Sequence, residues 1–260
     1  MTAIYAVVGR PVSASRSPAL HNGWFRTLGI DATYVALEVP ADRDADVVGA
    51  LRTLGFSGAN VTTPLKRVVA RQVDHLEGDA ELVGAVNLLV SDGGRWIGAN
   101  TDGAGFLLAL QDAGEHTAGR HAAVVGCGGA GAAVALALAR ADVARLLLVN
   151  RSPGPAAALA GRLRPAAPAL RIDTGELVPD AVRTCDLVVV AVPAEIDLAP
   201  PAVASAWIDL RYGKAPATST RARAAGHRVH DGSSLLIRQA ALSFERWTGR
   251  PPPLPDRVPT

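Results

Sequence analysis

Of the 26 lysine and arginine side chains only two are lysines, Lys66 and Lys214. Lys66 closes the stretch NVTTPLK at residues 60–66. Arginine serves wherever else the chain carries a positive charge, so a lysine after this Asn-Val-Thr-Thr-Pro turn points to a property arginine lacks. That property is proton exchange, which an ammonium performs and a guanidinium does not. A second stretch, GRPVSASRSPALHN, sets Ser15 and Ser17 ahead of Pro18. Ser17 before a proline predicts a helix N-cap with proline at the first helical position. Hydroxyls at a helix N-terminus also suit a small carboxylate, and the residues alone leave both readings open.

A third stretch, GCGGAG at residues 126–131, fits G-x-G-x-x-G through Gly126, Gly128 and Gly131. The first glycine permits the tight turn, the second lets backbone approach a pyrophosphate, and the third lets helix and strand pack closely. An apolar run precedes it and an alanine-rich stretch follows, so we read Gly126, Gly128, Gly129, Ala130 and Gly131 as a dinucleotide loop rather than a bare turn. About 20 residues on, where such folds read the ribose, stand Asn150, Arg151 and Ser152 in place of an acidic residue. An amide, a guanidinium and a hydroxyl suit a 2′-phosphate that a carboxylate would repel. NADP is expected over NAD; an exposed loop arginine is the other reading of Arg151.

The elements that must position these groups follow from the apolar runs. Strands are predicted at residues 4–9, 33–39 and 58–62, with helices over 17–28 and 42–54 between them. Residues 87–98 predict a hairpin turning at Asp92-Gly93-Gly94. A second series of strands covers residues 121–126, 145–150, 186–192 and 207–210. These runs are apolar throughout, as in parallel strands covered on both faces. Helices are predicted at 103–110, at 130–140 after the glycine loop, and at 234–247 before an irregular PPPLP tail. The expected fold class is α/β, with an N-terminal α/β substrate domain and a Rossmann-type, doubly wound parallel-sheet nucleotide-binding domain. The first is expected at residues 1–102 and 235–260 and the second at 103–234, with the active site in the cleft.

The 260 residues suffice for sizeable cores, built from Ala, Val and Leu since aromatics are only 4%. A net charge of +2 with no like-charge block gives no sign of a nucleic-acid or membrane partner. Two cysteines, Cys127 and Cys185, argue against a disulfide framework. No signal peptide or apolar span is read, so a cytoplasmic protein without metal, monomer or homodimer, is expected.

From Tyr5 to about Gly249 the motifs, in order, resemble the shikimate dehydrogenases and their quinate-using relatives. GRPVSASRSPALHN is similar to their substrate-carboxylate motif, which implies Ser15 and Ser17 as ligands. NVTTPLK resembles the catalytic-lysine motif and GANTDGAG the motif of its aspartate partner, implying Lys66 and Asp102. GAVN, DLRYG and LLIRQAALSFERWTG imply Asn87, Tyr212 and Gln239 as substrate contacts. Asn60, Thr62 and Thr101 are carried over in the same way, although Thr101-Asp102 also reads as a helix cap. Val192 and Gly232 fall at cofactor positions. The resemblance implies NADP-dependent interconversion of 3-dehydroshikimate, a cyclohexene carboxylate, and shikimate. Within the family the alternative is a quinate or amino-analogue dehydrogenase using NAD or NADP. Outside it the rival readings are a lyase or cyclohydrolase-type folate enzyme, against which the paired serines and GANTDG speak, and a non-catalytic NADP sensor.

Departures are visible too. Ala14 stands where many members have histidine, Leu88 where threonine is usual, and Val192 and Ser234 in altered nicotinamide segments. Pro155 replaces a second basic residue. Loss of one charge-assisted hydrogen bond, roughly 1.5–3 kcal/mol, brings NAD within reach as a possible cofactor.

Overall fold

The computed structural model describes residues 2–259. They form two compact units, one of residues 2–105 with 236–259 and one of residues 106–235.

The first unit carries β1 (Ala3–Gly9), α1 (Ser17–Leu28), β2 (Ala32–Glu38), α2 (Val47–Thr53), β3 (Gly58–Val61), α3 (Lys66–Val69), β4 (His75–Leu76), α4 (Asp79–Val83), β5 (Leu88–Asp92) and β6 (Arg95–Ala99). The sheet order is β2-β1-β3-β5-β6-β4. β1 runs parallel to β2 and β3, and β5 is antiparallel to both β3 and β6. The mixed sheet follows from the hairpin. Gly93 and Gly94 both have positive φ, 55° and 82°, the conformation a two-residue turn between right-twisted strands needs. Ala6, Val8, Ala59, Val61, Leu89 and Trp96 pack one buried cluster with Val48, Leu51 and Leu65 from the helical face. α5 (Asp102–Asp112) begins in this unit.

Two local readings are corrected. The helix expected from residue 42 is a 3-10 turn, Asp44–Asp46, followed by α2, because Asp46 caps the helix by accepting the Gly49 N–H at 3.0 Å. At α1 the cap position is Arg16 rather than Ser17, and no side chain caps it, although Pro18 does sit in the first turn. Ser15 Oγ accepts the Ser17 N–H instead, at 3.3 Å.

The second unit is wound from β7 (His121–Val125), α6 (Gly129–Ala139), β8 (Arg145–Asn150), α7 (Pro153–Leu163), β9 (Arg171–Glu176), β10 (Leu187–Val190), β11 (Ala206–Asp209), α8 (Ala217–Ala224) and β12 (Arg228–His230). Every strand pair is parallel, in the order β12-β11-β10-β7-β8-β9. Counted within the unit this is 3-2-1-4-5-6 read from the β9 edge, the order whose reversal point lies between β7 and β10. The central strands are apolar on both faces, and residues 131–138 of α6 are buried throughout, as expected of a helix covered on all sides. α9 (Ser233–Thr248) closes the list and contributes Leu236 onward to the first unit.

Candidate active site

In the first unit the site is built at one end of the sheet. β1 ends at Gly9, β3 at Val61 and β6 at Ala99, while the antiparallel β5 begins at Leu88. Backbone just beyond these ends carries Ser15, Ser17, Thr62, Lys66, Asn87, Thr101 and Asp102, so one topological feature gathers residues spread over most of the unit's sequence.

Lys66 opens α3 and makes an ion pair with Asp102 Oδ2, the two side chains being 13% and 8% exposed. Asp102 opens α5. Its other oxygen accepts from Asn87 Nδ2 at 2.8 Å, and its backbone N–H is taken by Asn100 Oδ1 at 3.0 Å. The Asn87 amide has one possible orientation. The Thr101 N–H can only donate and lies 2.7 Å from Oδ1, so Nδ2 must face Asp102. Asn87 Nδ2 also lies 3.0 Å from Thr101 Oγ1 and 3.3 Å from Gln239 Oε1. Thr101 Oγ1 reaches the Gln239 carbonyl at 3.1 Å, and Asn60 Nδ2 donates to the Asn87 carbonyl at 3.1 Å. Lys66, Asp102, Asn60, Asn87, Thr101 and Gln239 thus form one hydrogen-bonded set. Thr62 sits apart from these bonds, and a Cβ on Gly9 would lie 2.3 Å from its methyl group, so that close approach requires glycine at position 9.

Beneath this set lies a layer of aromatic side chains that only the fold brings together. Tyr34 is buried in β2, and burial holds its phenol well above the ordinary tyrosine range. His21 stacks on it with ring centroids 4.3 Å apart and planes 1° from parallel. Burial pushes His21 down to about 3, and neither ring nitrogen has a hydrogen-bond partner. The folded protein therefore refuses a proton that the unfolded chain accepts below about 6.5. Stability falls as pH drops from there toward 3, by about 1.4 kcal/mol per unit. His21→Phe is expected to flatten this limb, so that its melting temperature gains on the wild type between pH 7 and 5; an unchanged gap would leave His21 without that role.

In the second unit the glycine loop follows β7 at the reversal point. Gly126 has φ of 101°, and a Cβ there would lie 2.6 Å from Val192 Cγ1 and 2.9 Å from the Ala191 carbonyl. A Cβ on Gly131 would lie 1.8 Å from the Gly126 carbonyl, whereas one on Gly128 would meet nothing within 4 Å. The loop is thus tight where strand and helix meet and open above the first turn of α6, where Gly129 and Ala130 lie. Gly128 caps that helix with no side-chain bond, leaving the helix N-terminus to an anion. Asn150 Oδ1 takes the Cys127 N–H at 3.1 Å and its Nδ2 donates to the Ser152 carbonyl at 2.9 Å. Arg151 and Ser152 are exposed beside it. Open backbone, an uncapped helix and an exposed guanidinium fit the diphosphate and 2′-phosphate of NADP. A Cβ on Gly232 would lie 2.1 Å from the Leu210 carbonyl, so the segment after β12 must pass close to the end of β11. Tyr212 belongs to this unit.

Family models match two stretches of the chain, both lying wholly or mostly in the first unit. Residues 7–89 match the shikimate dehydrogenase substrate binding domain family, and residues 232–256 match the shikimate 5′-dehydrogenase C-terminal domain family. The shikimate dehydrogenase (NADP(+)) of Rubrobacter xylanophilus is 38% identical, with 96% of this chain and 92% of the relative aligned. That of Hyphomonas neptunium is 39% identical over 98% and 95%. Among solved structures, shikimate 5-dehydrogenase from Thermus thermophilus in complex with shikimate superposes with a TM-score of 0.84 at 34% identity, covering 96% of this chain and 94% of that one. Quinate dehydrogenase from Corynebacterium glutamicum in complex with NAD gives 0.83 at 27% identity, covering 97% and 95%.

Proposed function

Since the chain belongs to the shikimate dehydrogenase family, we propose that it interconverts 3-dehydroshikimate and shikimate with NADP, using Lys66 and Asp102 as its catalytic pair. Its curated relatives are NADP(+)-dependent enzymes of this name, and the reaction is an oxidoreduction at a CH–OH group. The observation that carries the reading is the buried Lys66–Asp102 ion pair, joined through Asn87 to Thr101 and Gln239.

When bound, the nicotinamide cofactor would supply the hydride in its reduced form and accept it in its oxidised form. The chain's own residues then have three tasks. Lys66 Nζ donates a proton to the oxygen as the carbonyl becomes an alcohol, and takes one back in the reverse direction, stabilising the charge that develops there. Asp102 holds the ammonium in place through Oδ2 while Asn87 occupies Oδ1. Asn87, Thr101, Gln239, Asn60 and Thr62 face the ring hydroxyls, where a missing hydroxyl would leave a buried partner unpaired. The Ser15 and Ser17 hydroxyls take the carboxylate, and Tyr212 completes the substrate contacts. Residues 1–102 with 235–260 form the substrate part and 103–234 the NADP part.

On the cofactor side we assign Gly126, Gly128, Gly129, Ala130 and Gly131 to the diphosphate, Asn150, Arg151 and Ser152 to the 2′-phosphate and its ribose, and Val192 and Gly232 to the nicotinamide end. Pro153 and Pro155 occupy the start of α7, so Arg151 is the basic side chain of this segment. Arg151→Ala is expected to raise the KM for NADP about 10- to 100-fold, the worth of a charge-assisted bond, with KM for NAD and shikimate unmoved. Equal effects on NADP and NAD would remove the phosphate assignment.

The direct test follows nicotinamide absorbance with purified protein and shikimate or quinate against NADP or NAD. Fast NADP reduction with shikimate is expected; preference for quinate or NAD would move the chain to the sister activity within the same mechanism.

A further inference from the structure

Asn60 is among the residues assigned to the substrate, yet both ends of its side-chain amide are held within the protein. Nδ2 donates to the Asn87 carbonyl at 3.1 Å and to Ser243 Oγ at 3.0 Å, and Oδ1 accepts from the Tyr34 hydroxyl at 2.8 Å. The Asn87 carbonyl can only accept, so it fixes which end of the amide is nitrogen, and Tyr34 must therefore donate. The Ser243 hydroxyl donates in turn to the Gln239 carbonyl at 3.0 Å and lies 3.3 Å from Thr101 Oγ1. A chain of bonds with one direction thus runs Tyr34 to Asn60 to Ser243 to Gln239. Tyr34 is 2% exposed and Ser243 0%, so neither side chain touches a ligand itself.

We propose that Tyr34 and Ser243 are positioning residues for the substrate, holding the Asn60 amide in one orientation and, through the Asn87 carbonyl and Thr101, aiming the side chains that meet the ring. The proposal rests on the shikimate reading above. It gains weight from how firmly Tyr34 is placed without its hydroxyl. The Asn22 side chain bonds both the Tyr34 carbonyl, at 2.8 Å, and its N–H, at 2.9 Å, and His21 covers the ring face. Tyr34→Phe keeps that clamp and that stack and removes the donor to Asn60 together with the bond between the Tyr34 hydroxyl and the Ser17 side chain. Ser243→Ala removes one acceptor from a buried turn of α9.

The experiment measures steady-state KM for shikimate and for NADP, kcat, and melting temperature in wild type, Tyr34→Phe, Ser243→Ala, Ser243→Thr and the double variant of Tyr34→Phe with Ser243→Ala. Each single loss is expected to raise KM for shikimate about 3- to 10-fold, the worth of a neutral hydrogen bond, with KM for NADP unchanged. The double variant should cost less than the product of the two single losses, because both act in part through one amide, and Ser243→Thr should restore most of the loss of Ser243→Ala. Lower melting temperatures with shikimate KM unmoved would overturn the proposal, as would effects that multiply in the double variant. If Tyr34→Phe does not fold, the Ser243→Ala and Ser243→Thr pair decides the matter by the same KM criterion. A wild type inert with shikimate would sink the functional reading and this inference together, whereas an active wild type with unmoved variants sinks this inference alone.

Discussion

Lys66→Ala is expected to lower kcat about 10²- to 10⁴-fold, the range a positioned general acid contributes, while the protein still binds NADP with wild-type affinity. The expectation comes from what the ammonium does. It stands at the start of α3 with its side chain 13% exposed, held by a carboxylate that is itself 8% exposed. A water molecule admitted by the alanine would have neither the charge nor the fixed position. Lys66→Arg is expected to rescue little, because a guanidinium keeps the charge without exchanging the proton. That comparison separates proton transfer from simple charge stabilisation. Asp102→Asn should also slow turnover, since the carboxylate charge facing the ammonium is lost and the single amide oxygen can accept from Lys66 or from Asn87 Nδ2 but not from both as placed. Steady-state absorbance for turnover and nucleotide fluorescence for binding are the two measurements. Turnover of Lys66→Ala within about threefold of the wild type, well short of what a general acid supplies, would sink the catalytic assignment of Lys66 and require another proton donor.

What the sequence made legible is what depends on local pattern. The continuous apolar runs at 121–126 and 186–192 gave the central strands, since strands covered on both faces must be apolar on both. Lys66 stood out through the rarity of lysine, and Asp102 through its motif. Less visible was everything set by distance in the chain. β9, RIDTGE, and β12, RVH, escaped because strands at the two edges of the sheet lack a continuous apolar run, with burial alternating in β9 and partial in the three residues of β12. Asp46 and Arg16 were missed as cap positions because a capping role depends on where the chain turns, which the residue types around them left ambiguous. Tyr34 lies in no motif, and His21 and Ser243 lie inside GRPVSASRSPALHN and LLIRQAALSFERWTG at positions to which the motifs give no role. A tyrosine inside a strand and a serine inside an amphipathic helix read as ordinary side chains until the fold brings them to Asn60. Glu115 belongs to the same class.

Glu115→Ala is expected to destabilise the second unit by about 2–4 kcal/mol and lower its melting temperature by about 10 °C. Glu115 lies just past the end of α5, with its side chain 2% exposed. One oxygen accepts from Arg228 Nε at 2.7 Å and meets His230 Nε2 at 3.0 Å. The other accepts from Arg228 Nη2 at 2.9 Å and Arg120 Nη2 at 3.1 Å. A single carboxylate thus ties the segment after α5 to β12, an edge strand of three residues with little apolar burial of its own. Removing it leaves three donors facing one another, a loss that breaking a buried pair places at roughly 3–5 kcal/mol. The Arg228 and His230 side chains are 52% and 31% exposed and regain water, which brings the loss to the lower part of that range. The pH dependence has a definite sign. Hydrogen bonding from Arg228, then from His230, outweighs burial and holds the Glu115 carboxyl at about 2, below its usual 4.5. The stabilisation is complete above about 4.5 and is lost as pH falls toward 2. Glu115→Gln cannot titrate, so its melting temperature should lie below the wild type at pH 7 and converge on it between pH 4.5 and 2. Melting curves that stay parallel across that window would show that Glu115 fills space there without holding the unit by its charge.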